Sequence, residues 1–158
     1  YFPRNKGEIK IKKIKYFIPA FLWMGLIFFF SSQNGTASDT NSYFLINLLG
    51  KIGINISSSM GLSVANFIVR KTAHVAEYFI LFMLLYFGFK KICLKNIIIY
   101  PAIITILYSI SDEFHQLFIE GRSGRIKDVF IDSIGVLIGL LIIGIKNKVK
   151  EQKTYPRA

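Results

Sequence analysis

Ionisable side chains inside long apolar stretches are the residues of this sequence that could perform chemistry. They are His74 and Glu77 in one stretch, Asp112, Glu113 and His115 in a second, and Asp132 in a third. An ionisable group in an apolar segment is costly to bury and by default marks a functional interior. A histidine beside a carboxylate can act as a general base, and the same groups can bind a divalent metal ion. We therefore treat the residues of the first two stretches as candidate catalytic residues, namely His74, Glu77, Asp112, Glu113 and His115.

Helical spacing places these residues on shared faces together with further polar side chains. Residues three or four positions apart lie on one side of a helix. The spacing holds for Lys71, His74, Glu77 and Tyr78, for Asp112, His115 and Gln116, and for Asp128 with Asp132. Arginine binds a phosphate or a carboxylate through two parallel hydrogen bonds. The candidate ligand-binding residues are Lys71, Tyr78, Gln116, Arg122, Arg125, Asp128 and Asp132.

The two acids Asp128 and Asp132 lie one helical turn apart, where two carboxylates repel each other unless a cation lies between them. Arg122 and Arg125, in the short loop just before, are the expected partners.

The composition indicates that these faces belong to membrane helices. Of the 158 residues, 53% are hydrophobic, and the mean hydropathy of +0.47 argues against a soluble globular enzyme. The formal net charge is +11, but the basic residues flank the apolar stretches, as they do in integral membrane proteins, so we expect no nucleic-acid partner. The single cysteine, Cys93, excludes an internal disulfide and a cysteine-rich metal site.

Four apolar stretches approach the length of about 20 residues that crosses a bilayer. They are Tyr16–Phe30, Val69–Phe89, Ile97–Ile119 and Val129–Ile145. We expect an all-α integral membrane protein in which four transmembrane helices form a single domain over residues 1–158. Residues 1–15 and 146–158 would be basic cytoplasmic tails, and residues 16–145 would form the bundle. The first stretch lacks a small-x-small cleavage site after its core, which favours a retained anchor over a signal peptide.

The distribution of basic residues predicts the orientation in the cell membrane. Lys and Arg are concentrated in the two tails and the second loop, at Arg4, Lys6, Lys10, Lys12, Lys13, Lys15, Lys90, Lys91, Lys95, Lys146, Lys148, Lys150, Lys153 and Arg157. Fewer lie near the first and third loops, at Lys51, Arg70, Lys71, Arg122, Arg125 and Lys127. By the positive-inside rule, both termini are cytoplasmic.

The first external segment, residues 31–68, contains a further predicted helix. Apolar residues recur there at helical spacing, at Phe44, Leu45, Leu48, Leu49 and Ile52. We expect an amphipathic helix that lies on the outer leaflet.

Depth in the membrane groups three ionisable residues together. At about 1.5 Å per helical residue, His74, Asp112 and Asp132 each lie roughly 20 Å from the cytoplasmic end of their segment. Three helices would therefore bring their ionisable groups together in the outer leaflet.

A purely structural alternative is that such residues hold the helices to one another, through pairs such as Glu77 with Arg122 or Asp112 with Arg125.

Four motifs, in this order along the chain, resemble the VanZ-like family. They are Arg70-Lys-Thr-Ala-His74-Val-Ala-Glu77-Tyr78, Ser111-Asp112-Glu113-Phe-His115-Gln116-Leu-Phe, Gly121-Arg122-Ser-Gly, and Asp128-Val-Phe-Ile-Asp132-Ser-Ile-Gly135-Val-Leu-Ile-Gly139. Residues that match the family pattern are Lys71, His74, Tyr78, Glu113, Gln116, Arg122 and Asp128. Glu120 stands where Pro is common in the family, and Asp132 where Asn is common.

The resemblance implies a membrane protein of Gram-positive cell envelopes, linked in some members to lower susceptibility to the lipid-tailed glycopeptide teicoplanin. It implies no established reaction. One function is consistent with both the polar residues and the family resemblance. An outward-facing polar cluster would bind an anionic ligand, either a lipid-linked cell-wall precursor or a lipoglycopeptide. Besides this ligand, the expected partner is the lipid bilayer.

The alternative function is an intramembrane hydrolase or transferase that acts on a lipid headgroup. His74 or His115 would be the general base, and Glu77, Asp112 or Glu113 would orient it. Arg122 would hold the charged oxygen of the transition state. A metal-dependent version would use the two histidines and carboxylates as ligands for a divalent ion, although the sequence requires no cofactor. A channel is disfavoured, because the polar residues lie on one side of the membrane.

Overall fold

The computed structural model describes residues 13–92 and 97–154, and within them the chain is helical and contains no strand, in agreement with the expected all-α class. Several residues used above lie outside the described residues: Arg4, Lys6, Lys10, Lys12, Cys93, Lys95 and Arg157. The predicted orientation of the termini accordingly remains a prediction.

Within residues 13–92 and 97–154, six α-helices follow one another after a short 3-10 turn at Lys15–Phe17. They are α1 (Ile18–Ser31), α2 (Gly35–Lys51), α3 (Ile56–Met60), α4 (Leu62–Lys91), α5 (Ile99–Gln116) and α6 (Ile126–Thr154). Two of these helices extend beyond the apolar stretches that predicted them. α4 begins at Leu62 rather than Val69, and α6 continues to Thr154 rather than Ile145. Hydropathy marks the apolar part of a helix, and a helix can continue into polar sequence.

The early start of α4 is stabilised by a polar contact with α2. Asp39 of α2 accepts a hydrogen bond of 2.9 Å from the amide of Asn66 and another of 3.3 Å from the guanidinium of Arg70. Asn66 is buried in this contact. Polar residues at the start of α4 are therefore inside the protein rather than in a loop.

α4 is the central helix, and its most extensive contacts are with α6. Two glycines of α6 allow this close approach. A Cβ atom at Gly135 would lie 2.6 Å from the backbone nitrogen of Phe79, and one at Gly139 would lie 2.6 Å from the ring of Phe82. The small-xxx-small pair Gly135 and Gly139 thus packs helix against helix. Beside it, Phe82 and Val136 are part of a buried apolar cluster.

α5 carries its polar residues inside and its apolar residues outside. Its buried residues include Thr105, Ser109, Asp112, Glu113 and Gln116. Its exposed residues include Ile103, Leu107, Ile110 and Phe114, and Phe114 is 63% exposed. This arrangement is the reverse of a helix on the surface of a water-soluble protein, and it is favourable where the surroundings are lipid.

Two helices are long and apolar enough to cross a membrane, namely α4 and residues 126–150 of α6. The pair formed by Lys15–Ser31 and α2 also meets this test, but it is bent by 110° at the break. The described part of the chain therefore contains two such helices, or three if the bent pair counts as one. This supports an all-helical membrane protein, whereas the count of four spans remains a prediction.

The segment predicted to hold an amphipathic helix does form one long helix, α2. Asn34 caps its first turn, since the Asn34 side chain accepts a hydrogen bond from the backbone nitrogen of Ala37. Ser42 and Ile46 are buried against the bundle, while Phe44 and Leu48 point outward and are 67% and 47% exposed. A helix is thus observed there, whereas its amphipathic character and its position on the outer leaflet remain predictions.

Candidate functional site

A buried chain of polar contacts joins the three long helices α4, α5 and α6. Nδ1 of His74 lies 3.5 Å from Oδ1 of Asp132, outside hydrogen-bond geometry. The other carboxylate oxygen, Oδ2, accepts a hydrogen bond of 2.5 Å from the hydroxyl of Ser109. Asp132 is 1% exposed. The structure therefore brings together ionisable residues of α4 and α6, as the depth argument expected.

Glu113 joins this group from α5. Its Oε2 atom accepts a hydrogen bond of 2.9 Å from the backbone nitrogen of Arg125. Its Oε1 atom is buried and has no hydrogen-bond partner in the described part of the chain. One ligand atom from each of His74, Glu113 and Asp132 lies within 4.8 Å of the other two. These residues form what we call the buried triad.

The loop between α5 and α6 is folded tightly against Glu113. A Cβ atom at Gly124 would collide with the backbone oxygen of Glu113. Only a residue without a side chain allows the loop to pass so close to α5. This close passage positions the backbone nitrogen of Arg125 to donate to the Glu113 carboxylate.

Lys71 is the cation beside the two acids at the start of α6. Its Nζ lies 2.6 Å from Oδ1 of Asp128. The expectation that Arg122 or Arg125 would lie between Asp128 and Asp132 is therefore wrong. Each acid faces α4 instead, where Lys71 and His74 are one helical turn apart, so the neighbouring helix supplies both partners.

Arg122 binds backbone carbonyl groups rather than a carboxylate. Its Nε donates a hydrogen bond of 3.0 Å to the oxygen of Gln33, and its Nη2 donates one of 2.9 Å to the oxygen of Phe30. Burial and the nearby Arg70 lower the pKa of Arg122, while Asp112 and Glu77 oppose this effect. The guanidinium remains charged at neutral pH. Arg122 is therefore a positive charge fixed at the end of α1.

The same loop also meets the α1–α2 bend through the backbone. The nitrogen of Gly35 donates a hydrogen bond of 3.0 Å to the oxygen of Glu120. Gly121 adopts a φ of 72°, in the left-handed region that favours glycine. A Cβ atom on Gly35 would collide with the backbone oxygen of Gly121. Two glycines thus allow the two connections to touch.

The other predicted residues occupy different surroundings. Asp112 is buried and accepts a hydrogen bond of 3.1 Å from the amide of Gln116. The hydroxyl of Tyr78 is buried and has no hydrogen-bond partner in the described ranges. Glu77 is half-buried, and Trp23 of α1 donates to its backbone oxygen. In the described part of the chain, neither the Glu77–Arg122 pair nor the Asp112–Arg125 pair forms.

His115 lies away from the buried triad. Its ring packs against Phe28 of α1, with the ring centroids 4.6 Å apart and the ring planes tilted by 37°. Its Nδ1 atom is buried and has no hydrogen-bond partner among the described residues. Although His115 is one turn from Asp112 in sequence, it points toward α1. The expectation that both histidines join one cluster is therefore wrong.

Two cavities lie on either side of His74. One, of about 230 Å³, lies between α1, α2 and α4 and is lined by Glu77 and Asp112 among others. The other, of about 450 Å³, lies under the α5–α6 loop and is lined by Lys71, Arg125 and Asp128 among others. Arg70, His74 and Arg122 line both cavities. We call them the inner cavity and the loop cavity.

Sequence reasoning missed several residues of this site. Ser109, which donates to Asp132, was overlooked because serine is common in membrane helices and carries no charge. The Asp39–Arg70 contact was missed because Asp39 lies in the segment interpreted as external. A signal existed for Ser109, since it lies three positions before Asp112 and therefore shares its helix face.

The arrangement has three chemical capacities. His74 and Asp132 are close enough for a carboxylate to orient an imidazole. The buried triad offers one nitrogen and two carboxylates to a cation. Basic side chains at the loop cavity can bind an anion.

Comparison with known proteins gives one match. No curated protein and no solved structure matches the chain. The family model of VanZ/LLP1 matches residues 16–147, which is most of the chain and contains every candidate site residue. This confirms the resemblance drawn from the four motifs. The chain belongs to the VanZ/LLP1 family.

Proposed function

We propose that this VanZ/LLP1 family member binds an anionic headgroup in the loop cavity. The observation that carries the proposal is the charge of the lining. Five basic residues line this cavity: Arg70, Lys71, Arg122, Arg125 and Lys127. Two acids, Asp39 and Asp128, line it as well, so the lining carries more positive than negative charge.

The pairing of these cations supports anion binding further. Arg70 is paired with Asp39, and Lys71 with Asp128. The Arg125 side chain is exposed and makes no ion pair with any residue in the described ranges. Its guanidinium can therefore form a bidentate contact with a phosphate or carboxylate without first breaking another contact.

The volume of the loop cavity is compatible with a headgroup. Small-molecule sites are commonly about 300–1,000 Å³, and the loop cavity measures about 450 Å³. The ligand class we propose is a lipid-linked cell-wall precursor or a lipoglycopeptide, both of which combine an anionic group with a lipid tail. Binding of the latter would lower susceptibility to teicoplanin.

The proposed placement in the cell membrane fits such a ligand. We propose four membrane-spanning helices with both termini cytoplasmic, and α2 at the outer leaflet. The apolar outer face of α5 supports its assignment as a span, and the exposed Phe44 and Leu48 support contact of α2 with lipid. In this placement the loop cavity faces outward at headgroup depth.

A binding experiment tests the proposal directly. The full chain is purified in nanodiscs, and the affinity for a short-chain polyprenyl phosphate, for teicoplanin and for inorganic phosphate is measured. Arg125→Gln should weaken binding of the lipid-linked anion about tenfold or more, because it removes the unpaired guanidinium. Lys51→Gln, at the end of α2 and outside both cavities, is the matched control.

Each outcome has a clear meaning. Weaker binding in Arg125→Gln but not in Lys51→Gln would support the loop cavity as the site. Equal affinity in wild type and Arg125→Gln, or no binding of any of the three anions by wild type, would overturn the proposal. Binding of polyprenyl phosphate but not teicoplanin would assign the ligand to the wall precursors.

A second candidate function is a hydrolase or transferase acting on the same headgroup. The observation that favours it is the buried His74–Asp132 pair at 3.5 Å beside the loop cavity. His74 would act as general base and Asp132 would orient it. Phosphate release from polyprenyl phosphate should then stop in His74→Gln and continue in His115→Gln. Absence of turnover in the wild-type protein would reject catalysis on this substrate and leave binding intact.

A further inference from the structure

We propose that His74, Glu113 and Asp132 form a binding site for one divalent transition-metal ion of the Zn²⁺ type. This goes beyond headgroup binding and does not depend on it, because the loop cavity cations and the buried triad are different groups. The observation behind it is that three helices each contribute one metal-binding side chain to a single point, where one ligand atom of each lies within 4.8 Å of the other two.

The two carboxylates are arranged in the same way, each with one oxygen held and one oxygen free. Ser109 donates to Oδ2 of Asp132, and the backbone nitrogen of Arg125 donates to Oε2 of Glu113. The opposite oxygens, Oδ1 and Oε1, are buried and have no hydrogen-bond partner among the residues that the structure describes. Outer partners that fix one oxygen and leave the other available are typical of metal sites.

The two carboxylates whose Oδ1 and Oε1 atoms lack a partner in the described part of the chain are buried, which indicates that a cation belongs beside them. Asp132 is 1% exposed and Glu113 is 5% exposed. A buried polar atom without a partner is energetically unfavourable. Two such carboxylate oxygens near one histidine would be stabilised by a cation bound between them. Nδ1 of His74 is also buried and has no hydrogen-bond partner within residues 13–92 and 97–154. A proton between His74 and Asp132 would compensate one carboxylate, whereas a divalent ion compensates both.

The spacing of His74 and Asp132 agrees with a shared metal ion. In tetrahedral coordination with bonds of about 2.1 Å, two ligand atoms lie about 3.4 Å apart. The observed separation between Nδ1 and Oδ1 is 3.5 Å, whereas a charge-assisted hydrogen bond between them would be about 2.8 Å. The ligand atom of Glu113 lies within 4.8 Å of the ligand atoms of His74 and Asp132. Binding of an ion would require Glu113 to move closer to them.

The chemistry of the ligand set selects the class of ion. An imidazole nitrogen disfavours Mg²⁺ and Ca²⁺, which prefer oxygen ligands only. One imidazole with two carboxylates suits Zn²⁺ and its first-row neighbours, and the two negative charges match the charge of the ion. Lys71, one helical turn from His74, is already paired with Asp128, which reduces its repulsion of a bound ion.

Metal binding alone tests this site, with no assay of activity. The full chain is purified in detergent, stripped with a chelator and dialysed, and Zn²⁺ binding is measured by calorimetry and elemental analysis. Wild type should bind one ion per chain, and the variants His74→Gln, Glu113→Gln and Asp132→Asn should each weaken binding about tenfold or more. Co²⁺ substitution gives a second readout, since a tetrahedral site produces visible absorption bands in the wild-type protein.

Two variants serve as matched controls. His115→Gln removes the other histidine, and Asp112→Asn removes a neighbouring buried carboxylate. Both should bind Zn²⁺ as wild type does. The proposal is overturned if wild type binds no stoichiometric Zn²⁺ at micromolar concentration, or if the control variants lose the ion as fully as the triad variants do. The wild-type measurement decides even if a triad variant fails to fold, and a protein that binds Zn²⁺ without binding polyprenyl phosphate would refute only the proposed function.

Discussion

Lys71 of α4 and Asp128 of α6 form an ion pair of 2.6 Å at the edge of the loop cavity. Their side chains are 22% and 17% exposed, so the pair is largely removed from water. One turn further along both helices, His74 lies beside Asp132. The two contacts lie one above the other between α4 and α6. They explain how Asp128 and Asp132 are tolerated one turn apart on α6.

Lys71→Gln should destabilise the protein by roughly 1.5–3 kcal/mol, the range for a hydrogen bond to a charged group. The variant leaves Asp128 partly buried without its cation and exposes it to repulsion from Asp132. Thermal unfolding in detergent measures the effect. In the double variant Lys71→Gln/Asp128→Asn, the loss should be smaller than the sum of the two single losses. Additive losses would contradict an energetic coupling between the two residues.

Gly135→Ala should destabilise the packing of α6 on α4 by about 1–3 kcal/mol, the usual range for overpacking. A Cβ atom there would lie 2.6 Å from the backbone nitrogen of Phe79, so the backbone of α4 or α6 would have to shift. Gly144→Ala on the same helix is the control, because its Cβ would meet nothing within 4 Å. Unfolding temperatures of the two variants should separate clearly, and equal values would argue against the observed helix contact.

Ser109→Ala should cost about 1–3 kcal/mol, because it leaves Oδ2 of the buried Asp132 without its donor. Ser133→Ala on α6 is the comparison, since that hydroxyl donates to the backbone of its own helix at Val129. Its loss should change stability little. Chemical denaturation of both variants checks the difference, and a destabilisation by Ser133→Ala as large as that by Ser109→Ala would show that the Asp132 contact has no special weight.

Arg122→Lys should loosen the α1–α2 bend although the positive charge is kept. A single ammonium group does not reproduce the geometry in which Nε and Nη2 reach the oxygens of Gln33 and Phe30. Hydrogen exchange of residues 31–38 should become roughly tenfold faster, which corresponds to about 1.4 kcal/mol. Exchange in the core of α4 should not change. Unaltered exchange at the bend would indicate that Glu120 and Gly35 hold it without Arg122.

The sequence was most informative where periodicity and charge coincide. The depth argument grouped His74, Asp112 and Asp132. The structure brings His74 beside Asp132, and Asp112 lines the inner cavity together with His74. The family followed from motifs in a fixed order and is confirmed. Side-chain partners were harder to predict, because they depend on the rotation of each helix about its axis. That rotation directs His115 toward Phe28 and makes Lys71, rather than an arginine, the partner of Asp128.

The arginines illustrate a second limit. Nothing in the sequence indicates that Arg122 would bind two carbonyl groups at the end of α1. Every residue carries a backbone carbonyl group, so residue types do not show which of these groups will accept a hydrogen bond. The polar start of α4 was taken as loop for a related reason. Hydropathy identifies apolar length, whereas the buried Asn66 and the half-buried Arg70 are held inside the bundle by their contact with Asp39.

The order of the partners along the chain has a consequence for biosynthesis. Lys71 and His74 leave the ribosome before the acids that face them, since Asp128 and Asp132 belong to a helix made two helices later. Until α6 has entered the bundle, the basic and imidazole groups of α4 have no carboxylate from that helix to face. Insertion of α6 therefore completes the polar interior in a single late step, and a nascent chain halted before that step would hold an incomplete site.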